Sequence, residues 1–392
     1  MRIGMIGMGK LGRPAAEVMA RHHDVLGYDV REVASDSVTI CDGMARLVQG
    51  SDLIFVAVET PHGHLYDGST PSSHLEPRDF DYTAVESVID ELNSIGVAGK
   101  TVVLISTVLP GTTRRRLAPR LRDAELVYNP YLIAMGTVAH DMENPEMIMI
   151  GTADGAEDRR VSMLRDAYGP IVSNGARVVV GTWEEIESTK IFYNTFISAK
   201  LSLVNMIQDV AQRLGNMDAS LVARALSDST KRITGPAYMK PGMGDGGPCH
   251  PRDNIALRWL ARDLNLGYDM FDAIMRAREV QARHLAEELV RHGKRVFIWG
   301  ESFKPGVPYT DGSYGRLVGH YCMELGSRVI YDAVSTEPAT YLLGHDRDWS
   351  AWLANIRRGS VVVDPWNSAP DLPEITVIRY GNTKRDGATN GE

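Results

Sequence analysis

The densest concentration of groups able to do chemistry in this 392-residue chain is Gly242-Met243-Gly244-Asp245-Gly246-Gly247-Pro248-Cys249-His250-Pro251-Arg252-Asp253. Glycines let backbone approach a bound molecule closely, and Pro248 and Pro251 stiffen that approach. The thiolate of Cys249 is intrinsically nucleophilic, and neighbouring cations or a helix N-terminus would favour it over the thiol. Asp253, four residues on, is predicted to enter the following helix near its N-terminus, a favourable place for a carboxylate. A buried free cysteine is the other reading of the same residues, and the commoner fate of cysteine.

A second group of polar residues lies on one predicted helix. Glu187, Lys190, Asn194, Leu201 and Asn205 are spaced by three, four, seven and four, so they share one helical face to within a turn's drift. They interrupt an otherwise apolar surface made by Ile191, Phe192, Phe196, Ile197 and Leu203. Lys190 and Asn194 are placed to converge on one oxygen, the ammonium stabilising a developing alkoxide and the amide donating a hydrogen bond. The alternative is a solvated charged edge of an interface helix.

A third group opens the chain. Gly7-Met8-Gly9-Lys10-Leu11-Gly12 follows a strand-like run and precedes a helical one. In that context the glycines give a tight turn, close approach to a pyrophosphate and close helix–strand packing, with the helix N-terminus facing the anion. Asp29 ends the next strand, where its carboxylate would accept ribose hydroxyls and repel a 2′-phosphate. Arg31, two residues later, is of the type that receives such a phosphate. NAD is the expected cofactor; a purely structural glycine turn is the alternative.

These groups need a scaffold, and its pattern is legible. Short apolar runs at 2–6, 24–28, 53–58, 101–105, 125–128 and 147–150 alternate with helix-length segments, the mark of βαβ units and a mostly parallel sheet. A further strand pair is expected around 171–180. A long helix is predicted from Glu184 to Leu214, closed by Gly215, then helices at 219–226, 255–263 and 268–292. A new run at 295–299 opens a second α/β block, with later strands at 328–331 and 360–363. The Gly-, Ser-, Pro- and His-rich stretch 62–77 is too turn-prone for a core element, and the apolar-poor tail is predicted to be disordered.

Composition narrows the function classes. A net charge of −8 argues against a nucleic-acid binder, which ordinarily carries a basic excess. Three separated cysteines, none in a CxxC pair, argue against both a disulfide framework and a thiolate metal site, so no metal is expected. No apolar run approaches the roughly 20 residues that span a bilayer. The chain opens on its first strand-like run with no basic leader, so a cytoplasmic protein without membrane attachment is expected.

Taken together, the ordered residues resemble the UDP-glucose/GDP-mannose dehydrogenases of nucleotide sugars. The likeness runs through Gly7–Gly12, Thr60-Pro61, Ser106-Thr107 with Pro110-Gly111-Thr112-Thr113, Gly136-Thr137 with Asp141, and Asn144-Pro145. It continues in Glu187/Lys190/Asn194/Asn205, Lys231-Arg232-Ile233, the Gly244–Asp253 loop, Phe303-Lys304-Pro305, Ser313, Asp332, and Asp364 with Asn367. The resemblance implies an α/β fold in three parts: an NAD-binding Rossmann domain over 1–183, a central helical dimerisation and catalytic domain over 184–292, and a Rossmann-like nucleotide-sugar domain over 293–380, with 381–392 as tail. It implies a homodimer built on the long helix.

The implied reaction oxidises a primary alcohol to a carboxylate using two NAD in sequence, through a thiohemiacetal and a thioester on Cys249. Lys190 and Asn194 would hold the reacting oxygen, with Asp253 and Thr107 positioning water. The cofactor would meet Gly7 to Gly12, Asp29, Thr60, Pro61 and Thr107. The nucleotide sugar would meet Tyr131, Leu132, Lys190, Asn194, Arg232, Tyr238, Gly244, Gly246, Phe303 and Lys304. The likeness breaks where the family places glutamates, here Tyr131 and Met135, and an arginine, here Met147. It breaks again at Val307-Pro308-Tyr309-Thr310-Asp311, in place of an acidic pair and an arginine that shape the uridine-diphosphate pocket. Two other readings remain open: a two-electron hydroxyacid-type dehydrogenase working through Lys190, and a non-catalytic NAD-binding homologue.

Overall fold

The protein is described by a computed structural model over residues 1–61, 70–133, 136–245, 247, 249–293 and 295–383. The chain divides into two compact units, Met1–Leu201 and Ser202–Glu392.

The first unit is a wound α/β layer structure. Its strands are β1 (Arg2–Ile6), β2 (Asp24–Tyr28), β3 (Thr39–Ile40), β4 (Leu53–Val56), β5 (Thr101–Leu104), β6 (Glu125–Tyr128), β7 (Met147–Thr152) and β8 (Arg177–Thr182). They form one sheet in the order β3-β2-β1-β4-β5-β6-β7-β8, parallel throughout except where β6 meets β7. The helices are α1 (Gly12–Met19), α2 (Met44–Gly50), α3 (Thr83–Ile95), α4 (Val138–Glu143), α5 (Arg159–Tyr168) and the start of α6 (Trp183–Leu214). Strands covered on both faces must be apolar throughout, and every residue of β4 is buried. One core forms around Ile3, Met5, Ala15, Met19, Phe55 and Val103, the other around Ile6, Leu47, Ile54, Leu92 and Tyr128. The order of the sheet reverses between β1 and β4, so the ends of those two strands frame the crevice where ligands of such sheets bind.

The second unit begins with the C-terminal part of α6 and continues through α7 (Ala219–Ser227), α8 (Cys249–Asp263) and α9 (Met270–Arg291). A five-stranded parallel sheet follows, ordered β10-β9-β11-β12-β13, from β9 (Arg295–Trp299), β10 (Arg328–Tyr331), β11 (Thr340–Leu343), β12 (Val361–Asp364) and β13 (Thr376–Arg379), with α10 (Tyr314–Glu324) and the short α11 (Ser350–Leu353). Helices α9 and α10 cover one face through Leu285, Leu289, Val318 and Cys322. Aromatic rings of Trp299, Tyr341, Trp349 and Trp352 pack the other.

Some elements differ from the sequence expectation for identifiable reasons. The segment 171–180 yields a single strand, β8, because Ser173, Asn174 and Gly175 (φ +64°) make a turn ahead of it. Helix α8 starts at Cys249 rather than at 255. Pro251 is compatible with that start because it falls in the first turn, where a helix has no intrahelical use for the missing N–H. β11 and β13 are four-residue strands whose short apolar runs carry no periodicity to separate strand from helix. Residues 62–69 of the turn-prone stretch and 384–392 of the tail lie outside the described residues.

Candidate active site

The glycine-rich turn after β1 has the form that a dinucleotide cradle requires. Gly7 has φ +92°, and a Cβ there would lie 2.7 Å from the Ala57 carbonyl oxygen. A Cβ at Gly12 would lie 1.8 Å from the Gly7 carbonyl oxygen, so both positions are closed to any side chain. Gly9 is different. Among the described residues, the one atom within 4 Å of a Cβ built there is Arg31 Nη2, at 3.5 Å. The space that Gly9 leaves faces outward, which is what a pyrophosphate requires, and α1 begins with no side chain capping its N-terminus. The Met8 N–H donates to Asp29 Oδ2 (2.8 Å), tying the turn to the end of β2. Burial works to raise the Asp29 pKa, but hydrogen bonds from Arg31 and Met8 hold it below the usual carboxylate range. These residues fit NAD.

Across the crevice, the loops after β4 and β5 are pinned to each other. Thr60 Oγ1 donates to the Thr107 carbonyl (2.7 Å), and the Pro61 carbonyl accepts from the Asp81 N–H (2.9 Å). Helix α6 enters here. Glu187 is fully buried and accepts the N–H groups of Gly111 and Thr113, the latter at 2.8 Å, which fixes the first turns of α6 against the loop after β5. Burial raises the Glu187 pKa, the two N–H donors opposing it. One turn further on, Lys190 Nζ donates to the Tyr131 carbonyl (2.7 Å), and burial lowers its pKa. Asn194, the next residue of the stripe, is exposed, as is Asn205.

Tyr131, where the resemblance expects a carboxylate, turns its ring inward. Its hydroxyl meets that of Tyr168 (2.9 Å), which also hydrogen-bonds the Asn129 amide oxygen, and burial pushes the Tyr131 pKa up. Leu132 packs into the second core. Met135 lies outside the described residues.

The second unit holds the thiol. Cys249 is exposed and is the first residue of α8. The Arg252 guanidinium, one turn on, pairs with Asp253 (2.9 Å) and interacts with Cys249 as well, so its pKa is raised first by Asp253 and then by the thiol. The preceding loop rests on the C-terminal sheet through its glycines. Cβ atoms at Gly242 and Gly244 would lie 2.2 Å and 2.1 Å from the rings of Trp366 and Tyr314, and one at Gly247 would lie 3.4 Å from Phe303. Asp245 forms an ion pair with Arg278 (2.5 Å), whose side chain is only 10% exposed and lies over the Tyr314 ring. Beside this loop is a cavity of about 190 Å³ lined by Gly244, Phe303, Lys304, Tyr314, His345 and Trp366, among others. It lies at the ends of β9 and β11, where the order of this sheet reverses. Gly244, Phe303 and Lys304 are thus brought to one cavity. Arg232 and Tyr238 are exposed on the segment between α7 and α8, Tyr238 with φ +62°. Gly246 lies outside the described residues.

Several residues of these sites had no signal in spacing. Arg278 comes from the middle of α9, and nothing near it in the chain marks it as the partner of Asp245. Trp366 is placed by Asp364, whose buried carboxylate accepts the N–H groups of Trp366 (2.9 Å), Ser368 and Ala369 (both 2.7 Å). The pairing of a strand-end aspartate with the turn after it is a signal that could have found it.

A glycine turn with an acidic strand end, in a unit that also carries a desolvated lysine at the start of α6, is the arrangement of a dinucleotide-dependent oxidoreductase. Comparison with known proteins narrows the class. The NAD binding domain of the UDP-glucose/GDP-mannose dehydrogenase family matches residues 33–172, and the central domain of the same family matches 184–279. The UDP-glucose 6-dehydrogenase of Rhizobium meliloti is 25% identical, covering 98% of this chain and 90% of its own. The GDP-mannose 6-dehydrogenase of Pseudomonas putida is 27% identical over 78% and 75%. The crystal structure of a ternary complex of GDP-mannose dehydrogenase from Pseudomonas aeruginosa shares the fold with a TM-score of 0.80, at 21% identity, over 96% of this chain and 99% of that one. The chain belongs to the UDP-glucose/GDP-mannose dehydrogenase family and is an NAD-dependent oxidoreductase. No helix among the described residues is long and apolar enough to cross a membrane.

Proposed function

We propose that this chain oxidises the primary alcohol of a nucleotide sugar, UDP-glucose-like in class, to the carboxylate in two successive two-electron steps. The observation that carries the reading is Cys249: an exposed thiol at the head of a 15-residue helix, with the Arg252 guanidinium beside it, on a loop seated against an aromatic-lined cavity. The helix N-terminus and the guanidinium put positive charge beside the sulfur. NAD supplies the hydride acceptor at each step. In the first step the alcohol carbon loses hydride and its hydroxyl a proton, while Lys190 and Asn194 hold the oxygen. Cys249 Sγ then adds to the aldehyde carbon, and the oxygen takes a proton, giving a thiohemiacetal that keeps the aldehyde from escaping. Loss of a second hydride and a proton leaves a thioester. Water attacks its carbonyl carbon, sulfur leaves as thiolate, and the acid is released. Asp253 and Thr107 position that water, since Tyr131 offers no carboxylate. The rings of Phe303, Tyr314 and Trp366 suit a nucleobase, and Lys304 suits phosphate.

A homodimer is part of the reading. Phe192, Phe196, Ile197 and Leu201 of α6 are exposed, as are Leu221, Ile255 and Trp259 of the second unit, and clustered exposed apolar residues mark interfaces. All three cysteines are free thiols, which supports a reducing, cytoplasmic setting.

Counting NADH formed per nucleotide sugar consumed tests the reaction, with two expected. Cys249→Ser should abolish acid formation and leave slow aldehyde formation. One NADH per substrate in the wild type, with full activity in Cys249→Ser, would overturn the thiol route. That outcome would favour the two-electron reading through Lys190, whose desolvation is its support.

A further inference from the structure

The adenosine end of the cofactor cradle carries two opposed signals at once. Dinucleotide turns that take NAD present an acid at the end of the second strand for the ribose 2′-hydroxyl, whereas those that take NADP present an arginine nearby for the 2′-phosphate. This chain has both, and they touch. The Asp29 side chain is only 5% exposed and both its oxygens are engaged: Oδ2 by the Met8 N–H (2.8 Å), Oδ1 by the Arg31 N–H (2.9 Å) and Arg31 Nε (3.3 Å). The Arg31 side chain is 74% exposed, and Nη2 stands 3.5 Å from the position a Cβ would take at Gly9. The guanidinium is thus an exposed cation lying against a nearly buried carboxylate, at the edge of the glycine turn.

Exclusion of NADP depends on an uncompensated carboxylate meeting the 2′-phosphate. Here the carboxylate is matched by an adjoining cation, already committed to backbone donors, and sunk behind the group that an incoming anion meets first. An arginine fork offers a phosphate two parallel N–H donors, a stronger contact than the single 3.3 Å approach it makes to Asp29. We propose that the cradle takes NADP as well as NAD, with Arg31 receiving the 2′-phosphate. The proposal rests on the dinucleotide assignment of this turn and not on the identity of the sugar.

The test needs no sugar. Reduced nicotinamide fluorescence is titrated with the full chain, NADH and NADPH separately. The wild type is expected to bind NADPH within about tenfold of NADH. Arg31→Ala, which changes an exposed side chain, should weaken NADPH at least about tenfold and NADH by much less, and Arg31→Lys should recover part of the loss. Binding of NADH without NADPH, or NADPH affinity unchanged in Arg31→Ala, would overturn the proposal. Failure of both nucleotides to bind would overturn the cofactor assignment of the turn and this proposal with it.

Discussion

The two α/β blocks use one frame for two purposes. In the first, Gly7 (φ +92°) follows β1, Asp29 follows β2, and the aspartate accepts an N–H from the turn. In the second, Gly300 (φ +105°) follows β9 and Asp332 follows β10, accepting the N–H groups of Gly300 (2.6 Å) and Glu301 (3.2 Å). The likeness extends to the helix. Gly12 opens α1 against the Gly7 carbonyl, and Gly315, the second residue of α10, lies against the Gly300 carbonyl. What differs is the chain between. Four residues separate Gly7 from Gly12, and the short turn leaves the uncapped start of α1 open to an anion. In the second block the interval runs from Glu301 to Tyr314, bringing Phe303 and Lys304 to the 190 Å³ cavity, and Ser313 caps α10 with its own hydroxyl. Under the proposed function the short first turn would meet a pyrophosphate through its backbone. The longer interval in the second would meet the substrate through side chains, which can vary with it.

The sharpest break in this parallel comes from the helix glycines. A Cβ at Gly12 would lie 1.8 Å from the Gly7 oxygen, whereas at Gly315 it would lie 2.9 Å from the Gly300 oxygen. Gly12→Ala is expected to cost at least the upper end of the roughly 1–3 kcal/mol typical of overpacking, and Gly315→Ala the lower end. Chemical denaturation of both variants reads this directly, and equal losses would remove the distinction. Gly9→Ala completes the set. It meets only Arg31 Nη2 at 3.5 Å among the described residues, so it should melt like the wild type without cofactor. It should lose most of the stabilisation NAD confers, about 2.7 kcal/mol at a hundredfold excess over Kd.

The aspartates come next. Asp29→Asn and Asp332→Asn each replace a carboxylate that accepts backbone N–H groups, and each should lose about 1.5–3 kcal/mol. Asp29 adds an acid dependence. Its folded pKa lies below the unfolded value of about 3.9, so its contribution is present above that pH and is lost as pH falls through the folded pKa. Asp29→Asn should therefore narrow its deficit from the wild type on acidification below about pH 4. A deficit constant with pH would show that Asp29 is not held ionised by its neighbours.

The first block was the more legible in sequence because each of its working residues has a local excuse. A glycine spacing tied to a strand end and an acid at the next strand end are patterns of neighbours in the chain, and so is the helical period that joins Glu187, Lys190 and Asn194. Their burial was not legible. Glu187 and Lys190 are withdrawn from solvent while Asn194 is exposed, because the loop after β5 and the carbonyl of Tyr131 cover only the first turns of α6. The second block hides its parallel with the first. The matching glycines stand fifteen residues apart rather than five, which erases the motif while keeping its geometry. The sequence places Cys249 at the end of a loop, and its position at the head of α8 depends on Pro251 being harmless in a first turn. The pairing of Asp245 with Arg278 spans 33 residues and two elements, beyond any local pattern.

The smallest effect isolates the cap. Ser313 is buried, with its Oγ accepting the Arg316 N–H at 3.2 Å, so its hydroxyl does for α10 what no side chain does for α1. Ser313→Ala should cost about 1 kcal/mol, the usual value of a serine N-cap. It should leave NADH affinity unchanged if the dinucleotide sits at the helix end of the first block, as proposed. The two measurements together decide between the blocks. A stability loss with unchanged NADH binding is expected if the second helix end is sealed for structure. Weakened NADH binding would show that the dinucleotide depends on this end as well, and the division of labour between the two turns would be wrong.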